Sequence, residues 1–370
     1  MTYLLGAGTI RIEVTLSRAL ACSVAVAGSR PRGLNRMFVG RQPEEAPALA
    51  AQVFSLCGFA QSVAARMAVL NAADLPIGES EIRAASAGLL AERIFETLRA
   101  LVLHWPVALP QPMAASAGLQ LRSALQASQA IVARARTGSV AGPEFAVDVA
   151  RLADAARALG VPADGDRSLA GSVLDRMEET LVAVAAFPST RPDPLLPDDD
   201  DAVIELLCGD PDYAAMPHLP GRVIETGAYA RKAGAYSITE PHLVRRLRAR
   251  IADVATCLSD LAALAAGRQP DWTALAAGGP TPGTGGYGSV ECARGRLYHQ
   301  AEIGDDGRLS AYRILAPTEW NFHPAGPFVE TLLSSPIGAK EEAARAVALL
   351  AVLFDPCVAF EVDVREDADA

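Results

Sequence analysis

Between Glu79 and Leu103 the apolar residues Ile82, Leu89, Leu90, Ile94, Leu98 and Leu101 fall at helical spacing, with Ser80 as a possible N-cap and Pro106 just beyond the end. The pattern predicts a helix of roughly seven turns, and a helix that long with one apolar face has to bury it against other helices. The preceding stretch has the same period: from Glu44 onward Leu49, Val53, Leu56, Cys57, Ala60, Ala64, Met67 and Ala68 share one face, with Gly58 the one breaker inside. Two long helices in succession predict a bundle. Helical spacing continues through the Ala-, Arg- and Leu-rich middle, Ala114 to Phe187, without a fixed repeat; it resumes from His242 to Ala266 and from Lys340 to Leu353, before a short Asp-Pro-Cys turn.

A period of two appears near the start. Ile10, Ile12, Val14 and Leu16, then Val24 and Val26, predict two paired strands closed by Pro31, Arg32 and Gly33. Arg296 to Ile303 and Leu309 to Leu315 also have strand character. The expected class is therefore α+β and mainly helical: one domain over residues 1–370, a helical bundle with an N-terminal hairpin and small β elements near 296–315. Residues 191–201, with three prolines and four successive aspartates, are expected to form a solvated acidic loop. Residues 278–288 are expected to form a flexible glycine-rich loop, and they lack the lysine of the phosphate-binding GxxxxGK(S/T) pattern. Residues 364–370 are expected to be a flexible tail.

Composition excludes several function classes. With 370 residues and 51% hydrophobic content the chain can bury one large core or two ordinary ones. A net charge of −10 argues against binding nucleic acid or an anionic membrane surface, since both need a dense basic face. Gly6, Gly8, Arg11 and Glu13 break the segment from Met1 to Ser17, which spoils a signal sequence or a membrane span, so a cytoplasmic location is expected. The six cysteines, Cys22, Cys57, Cys208, Cys257, Cys292 and Cys357, form no CxxC pair and are expected to be free thiols, most simply small buried apolar residues. His104, His218, His242, His299 and His323 show no HxxxH or HxxE spacing, and Ser139 in TGSVAG has no recognisable catalytic partners.

Several fragments of unusual composition lie in a fixed order. GTIRIEV (Gly8 to Val14), RGLN (Arg32 to Asn35), GRQPEEAP (Gly40 to Pro47) and QVFSLCGFAQSVAA (Gln52 to Ala65) come first, followed by AVLNA (Ala68 to Ala72). ETGAYAR (Glu225 to Arg231), ECARGRLYH (Glu291 to His299), APTEWN (Ala316 to Asn321) and DPCVAFEVD (Asp355 to Asp363) come later. In this order they resemble the signature regions of nickel-iron hydrogenase large subunits over nearly the whole chain, with the middle shortened. In that family four thiolates hold nickel, and two of them bridge to an iron carrying carbon monoxide and cyanide.

The resemblance also marks what this chain lacks. Phe54 and Phe360 stand at two of the four cysteine positions, leaving Cys57 and Cys357. Rings cannot replace thiolates, so no nickel and no hydrogen-activating enzyme are expected. The family's proton-gate glutamate falls on Ala7, its outer-metal glutamate on Asn35, its first-motif histidine on Gln61 and its C-terminal histidine on Asp363. What survives by resemblance is Arg294, matching the arginine over the iron's cyanide ligands, Thr318, matching a hydroxyl that bonds cyanide, and Asp355, a nearby carboxylate. A purely structural alternative makes Arg294 and Asp355 an ion pair and has Thr318 satisfy backbone. In the ungapped register Cys57 falls on a bridging position and Cys357 on a terminal one; matching LCG to the family's ICG would make Cys57 terminal.

Such a degenerate large subunit is similar to HupK-type hydrogenase expression and formation proteins. The resemblance implies a scaffold or carrier that holds iron with its cyanide and carbonyl ligands, through Cys57 and Cys357 with Arg294, Thr318 and Asp355, and serves the hydrogenase large subunit alongside maturation chaperones. The alternative is a metal-free mimic of the large subunit that acts as an interaction module, with inert cysteines.

Overall fold

The computed structural model describes residues 8–29, 33–108, 115–184, 187–188, 191–232, 234–235, 239–333 and 335–367; Ala7, Pro31 and Arg32 fall outside them. The chain begins with the antiparallel pair β1 (Thr9–Ser17) and β2 (Leu20–Gly28), which places Ile10, Ile12, Val14 and Leu16 on the buried face as the period of two requires. Helices α1 (Ala46–Val53), α2 (Gly58–Ala72), α3 (Glu79–Ala108), α4 (Ala115–Thr137), α5 (Gly142–Leu159) and α6 (Val173–Val182) follow. After them come β3 (Asp193–Pro194), α7 (Asp200–Gly209), β4 (Ile224–Glu225), α8 (Ala228–Arg231) and α9 (His242–Ala265). A β meander of β5 (Ala276–Thr281), β6 (Gly285–Cys292), β7 (Gly295–Ile303) and β8 (Leu309–Leu315) precedes α10 (Pro317–Asn321), α11 (Pro327–Leu333), α12 (Lys340–Phe354) and β9 (Ala359–Glu366).

Strand β9 pairs in parallel with β1, setting Ile10 against Phe360 and Val14 against Val364, so the two ends of the chain share one sheet in the order β2-β1-β9. The helices α3, α4, α5, α9 and α12 bury their apolar faces in one large core that also takes the inner face of β1. Among the described residues no single helix is long and apolar enough to cross a membrane.

Five local expectations are corrected. The segment from Glu44 to Ala72 is two helical pieces bent by 101°, because Phe54 and Cys57 leave helical backbone angles at the joint. This bend puts Cys57 at the N-cap of α2. Helix α3 starts a residue before Ser80 and runs through Pro106. Residues 278–288 are not a loop; they belong to the β5–β6 hairpin, where Gly278 pairs with Gly288. A side chain there would strike α2: a Cβ on Gly286 would lie 2.1 Å from the Ala72 nitrogen, and one on Gly288 2.5 Å from the Ala64 carbonyl oxygen. Glycine lets the sheet lie directly on the helix, and here it marks close approach rather than flexibility.

The acidic run is the fourth departure and the tail the fifth. Asp198 is exposed and Asp199 caps a turn, but Asp200 opens α7 with its carboxylate buried. It accepts from Arg296 Nε at 2.6 Å, Tyr298 Oη at 2.8 Å and Ser289 Oγ at 3.0 Å. The stretch is not a solvated linker, because a buried guanidinium on β7 requires a carboxylate there. Residues 364–366 likewise belong to β9, and Val364 is buried against the core.

Candidate thiol and arginine site

The five residues singled out from the sequence are carried on separate elements. Cys57 is the N-cap of α2; Arg294 lies in the two-residue hairpin turn between β6 and β7; Thr318 is the second residue of α10; Asp355 caps α12; Cys357 follows two residues later. Asp355 adopts a left-handed conformation, φ 56°, tolerable for aspartate, and this turns the chain from α12 toward β9. The turn bearing Arg294 is held close by Gly227, φ 110°, since a Cβ there would lie 2.9 Å from the Arg294 carbonyl oxygen.

These elements bring all five residues into one buried region. Thr318 Oγ1 donates to Cys357 Sγ at 3.5 Å. Arg294 Nε lies 3.5 Å from Asp355 Oδ2, and its Nη2 donates to Glu96 Oε2 at 3.4 Å. Burial works against the Arg294 charge, but Asp355 and Glu96, and beyond them Cys357 and Cys57, outweigh it and hold the guanidinium firmly protonated. The Cys57 sulfur faces inward, accepting from Gln61 Nε2 at 3.6 Å, although the residue as a whole is half-buried. Burial raises its thiol well above the ordinary range; Cys292, Glu92 and Cys357 add to the rise and Arg294 opposes it. The two surviving thiols are thus within electrostatic reach of each other and of the guanidinium.

The Arg294–Asp355 ion pair of the structural alternative is present and extended, since Arg250 Nη2 also donates to Asp355 Oδ2 at 2.9 Å. Thr318 departs from that alternative by bonding a sulfur.

Three groups at this site were not legible as such. Glu92 on α3 accepts from the Phe59 and Ala60 backbone N–H groups at 2.7 and 2.8 Å, closing the N-terminus of α2 beside Cys57. Burial raises its carboxyl to about 7, against those two hydrogen bonds. Cys292, at the end of β6, is a third thiol beside Cys57 and is itself buried; burial pushes it up to about 11. Gln61 is fixed from behind by His299 Nε2, 2.6 Å from Gln61 Oε1, while His299 Nδ1 lies 2.7 Å from Tyr312 Oη. Because the Gln61 amide nitrogen serves the sulfur, its oxygen takes the His299 Nε2–H, and Tyr312 donates to Nδ1. The available signal was charge on an apolar face: Glu92, Arg93 and Glu96 lie among Leu89, Leu90 and Ile94 on α3.

Neutral buried histidines carry a pH dependence. Burial lowers His299 from 6.5 to about 3, and burial together with Arg246 and Arg245 lowers His242 to about 2. Below 6.5 the unfolded chain takes up protons that the folded chain refuses. Their contribution to stability is therefore whole above that value and is lost as the pH falls toward 3, while Glu92, raised to about 7, works in the opposite sense. Urea midpoints compared at about pH 7.5 and about pH 5 should fall on acidification, and His299→Gln should flatten the fall; an equally steep fall in that variant would contradict the assignment.

The residues present do not fit nickel. Phe54 is half-buried at the joint before α2 and Phe360 packs partly buried against the core from β9, so neither position supplies a donor. Among the described residues no three His, Cys, Asp or Glu side chains converge as a metal cage. Among these residues, which include all six cysteines, no disulfide forms.

No protein-family model matches the chain. It is similar to the hydrogenase expression/formation protein HupK of Rhizobium leguminosarum bv. viciae, 64% identical over 370 residues and 100% of both chains. It is 31% identical over 361 residues to the hydrogenase expression/formation protein HoxV of Cupriavidus necator, covering 92% of this chain and 93% of that one. A shorter stretch of 90 residues, 22% of this chain, is 34% identical to the uptake hydrogenase large subunit of Afipia carboxidovorans, 14% of that protein. Among solved structures, the NiFeSe hydrogenase of Dm. baculatum superposes with a TM-score of 0.61 at 14% identity, covering 93% of this chain and 95% of that chain. An NAD+-reducing NiFe hydrogenase gives 0.61 at 13% identity, covering 93% and 94%. At such identities the likeness is one of fold, and it bears out the α+β, mainly helical architecture of a hydrogenase large subunit. The sequence relatives carry the narrower conclusion: the chain belongs to the family of hydrogenase expression/formation proteins that includes HupK and HoxV.

Proposed function

We propose that this chain is a non-catalytic accessory protein of nickel-iron hydrogenase maturation, which carries iron with its cyanide and carbonyl ligands between Cys57 and Cys357 and passes it to the hydrogenase large subunit. The supporting observation is the convergence of two thiols, a buried guanidinium and a hydroxyl in a hydrogenase fold whose other two ligand positions are phenyl rings. An iron that arrives with three diatomic ligands needs fewer protein donors than a bare ion, so two thiolates suffice for it and not for nickel. Arg294 supplies positive charge and N–H groups for an anionic cargo. Thr318 supplies a hydroxyl at Cys357. Each cysteine that binds as a thiolate must first give up its proton, and because burial disfavours the Cys57 thiolate in the empty site, emptying returns a proton to Cys57, which makes the hold reversible. The protein acts in the cytoplasm with maturation chaperones.

Infrared spectra in the cyanide and carbonyl stretching region, recorded on protein purified without oxygen from a host with the full maturation set, test this. Bands from the wild-type chain that vanish in Cys57→Ala or Cys357→Ala are the expected result. Iron-free protein without bands that still co-purifies with hydrogenase components would overturn the carrier and leave a metal-free large-subunit mimic that acts through its surface.

A further inference from the structure

An iron carried between Cys57 and Cys357 with three diatomic ligands has five donors. Low-spin iron(II) bearing carbonyl and cyanide is a six-coordinate ion, so the two thiolates hold it and leave its sixth position open. Such an iron is soft and prefers sulfur there to a carboxylate or an amide. The nearby oxygen donors are also committed: Glu92 accepts two backbone N–H groups of α2, and Gln61 Oε1 takes His299.

Cys292 is the thiol in place to fill that position. It is buried at the end of β6, two residues before Arg294, and its sulfur accepts the Arg294 backbone N–H. Strand β6 runs along α2 in the opposite direction: a Cβ on Gly286 would meet Ala68, Asn71 and Ala72, and one on Gly288 would meet Ala64, Met67 and Ala68. Alternate strand residues share a face, so Val290 and Cys292 continue the row that faces α2. From Gly288 to Cys292 the strand advances about 13 Å, the length of about nine helical residues. That distance leads from Met67 back to the first residues of α2, where Cys57 is the N-cap. Electrostatics agree with this register. After burial itself, Cys292 raises the Cys57 thiol most, ahead of Glu92 and Cys357, with Arg294 opposing. Arg294 and Glu92 act on the Cys292 thiol as well, the first downward and the second upward.

We propose, resting on the carrier reading, that Cys292 is a third cargo ligand, which fills the sixth position of the iron once Cys57 and Cys357 have taken it up. In that step the Cys292 thiol gives its proton to solvent, its sulfur forms one bond to iron, and a water ligand leaves; the iron stays iron(II) and no electron moves. The Arg294 backbone N–H at the sulfur favours the thiolate that the bond needs, and the guanidinium answers the charge it adds. Among the described residues no three such side chains stand ready as a cage for a bare ion. Cys292 completes the set only around iron that brings its own diatomic ligands.

Iron X-ray absorption and infrared spectra of the full chain, purified without oxygen from a host with the full maturation set, test it. The expected result is three sulfur neighbours per iron in the wild type and two in Cys292→Ala, with the carbonyl band moved to higher frequency as a weaker donor replaces the thiolate. Two sulfur neighbours in the wild type would overturn the proposal, whether or not the variant folds. So would carbonyl and cyanide bands that are the same in the wild type and Cys292→Ala. Both of these outcomes leave the carrier standing, whereas a wild type without bands removes the carrier and the sixth ligand with it.

Discussion

Asp200→Ala is expected to lower the unfolding free energy by about 3–5 kcal/mol, the range for removing one partner of a buried ion pair. Arg296 has no exposed surface, and after the substitution it keeps only Glu291 at 3.3 Å and Ser289 Oγ at 2.9 Å. Tyr298, also fully buried, loses its acceptor in the same step. The loss exceeds that of an ordinary surface charge because the guanidinium stays in the core without its carboxylate. Denaturant midpoints of the wild type, Asp200→Ala and Asp198→Ala decide the point. Asp198 is exposed, and its replacement should stay within about 0.5 kcal/mol. Equal effects from the two would show that the run is a solvated segment after all.

The second large effect is expected at Gly288. Its Cβ would meet the Ala64 carbonyl oxygen and the Met67 Cβ at 2.5 Å and the Ala68 nitrogen at 3.0 Å. Two of these three atoms are backbone of α2 and cannot swing aside, so Gly288→Ala should cost at least the 1–3 kcal/mol or so of an overpacked core, and Gly288→Val more. Because α2 carries Cys57 at its N-cap, the displacement also reaches the thiol site. Gly118 in α4 has open space around it, and Gly118→Ala should raise stability by up to about 1 kcal/mol. Opposite signs from the two glycines in one denaturation series would establish that close approach governs at Gly288. A neutral Gly288→Ala would show that α2 is free to lift from the sheet.

Both sites show where sequence reading ended. Apolar spacing over 79–103, 242–266 and 340–353 predicted α3, α9 and α12 to within a few residues, apart from the passage through Pro106, and alternation at Ile10 to Leu16 predicted β1. Helical and strand periods are local properties, and they state which face of an element is apolar without reference to the rest of the chain. Ordered fragments around Cys57, Arg294, Thr318 and Cys357 likewise identified the hydrogenase-like frame and the residues that meet in it. Nothing local distinguishes Asp200 from Asp198, or a glycine that admits a helix from one that loosens a loop. That distinction arises only when Arg296, 96 residues away, is buried against Asp200, and when α2 lies across β6. The same holds for Glu92 beside Cys57, for Gln61 fixed by His299, and for Cys292 brought to Cys57. The sequence by itself determined the elements, their apolar faces and the family frame; the tertiary structure decided which charges are paired, because pairing depends on distances between residues far apart in the chain and on the high free energy of leaving a buried charge alone.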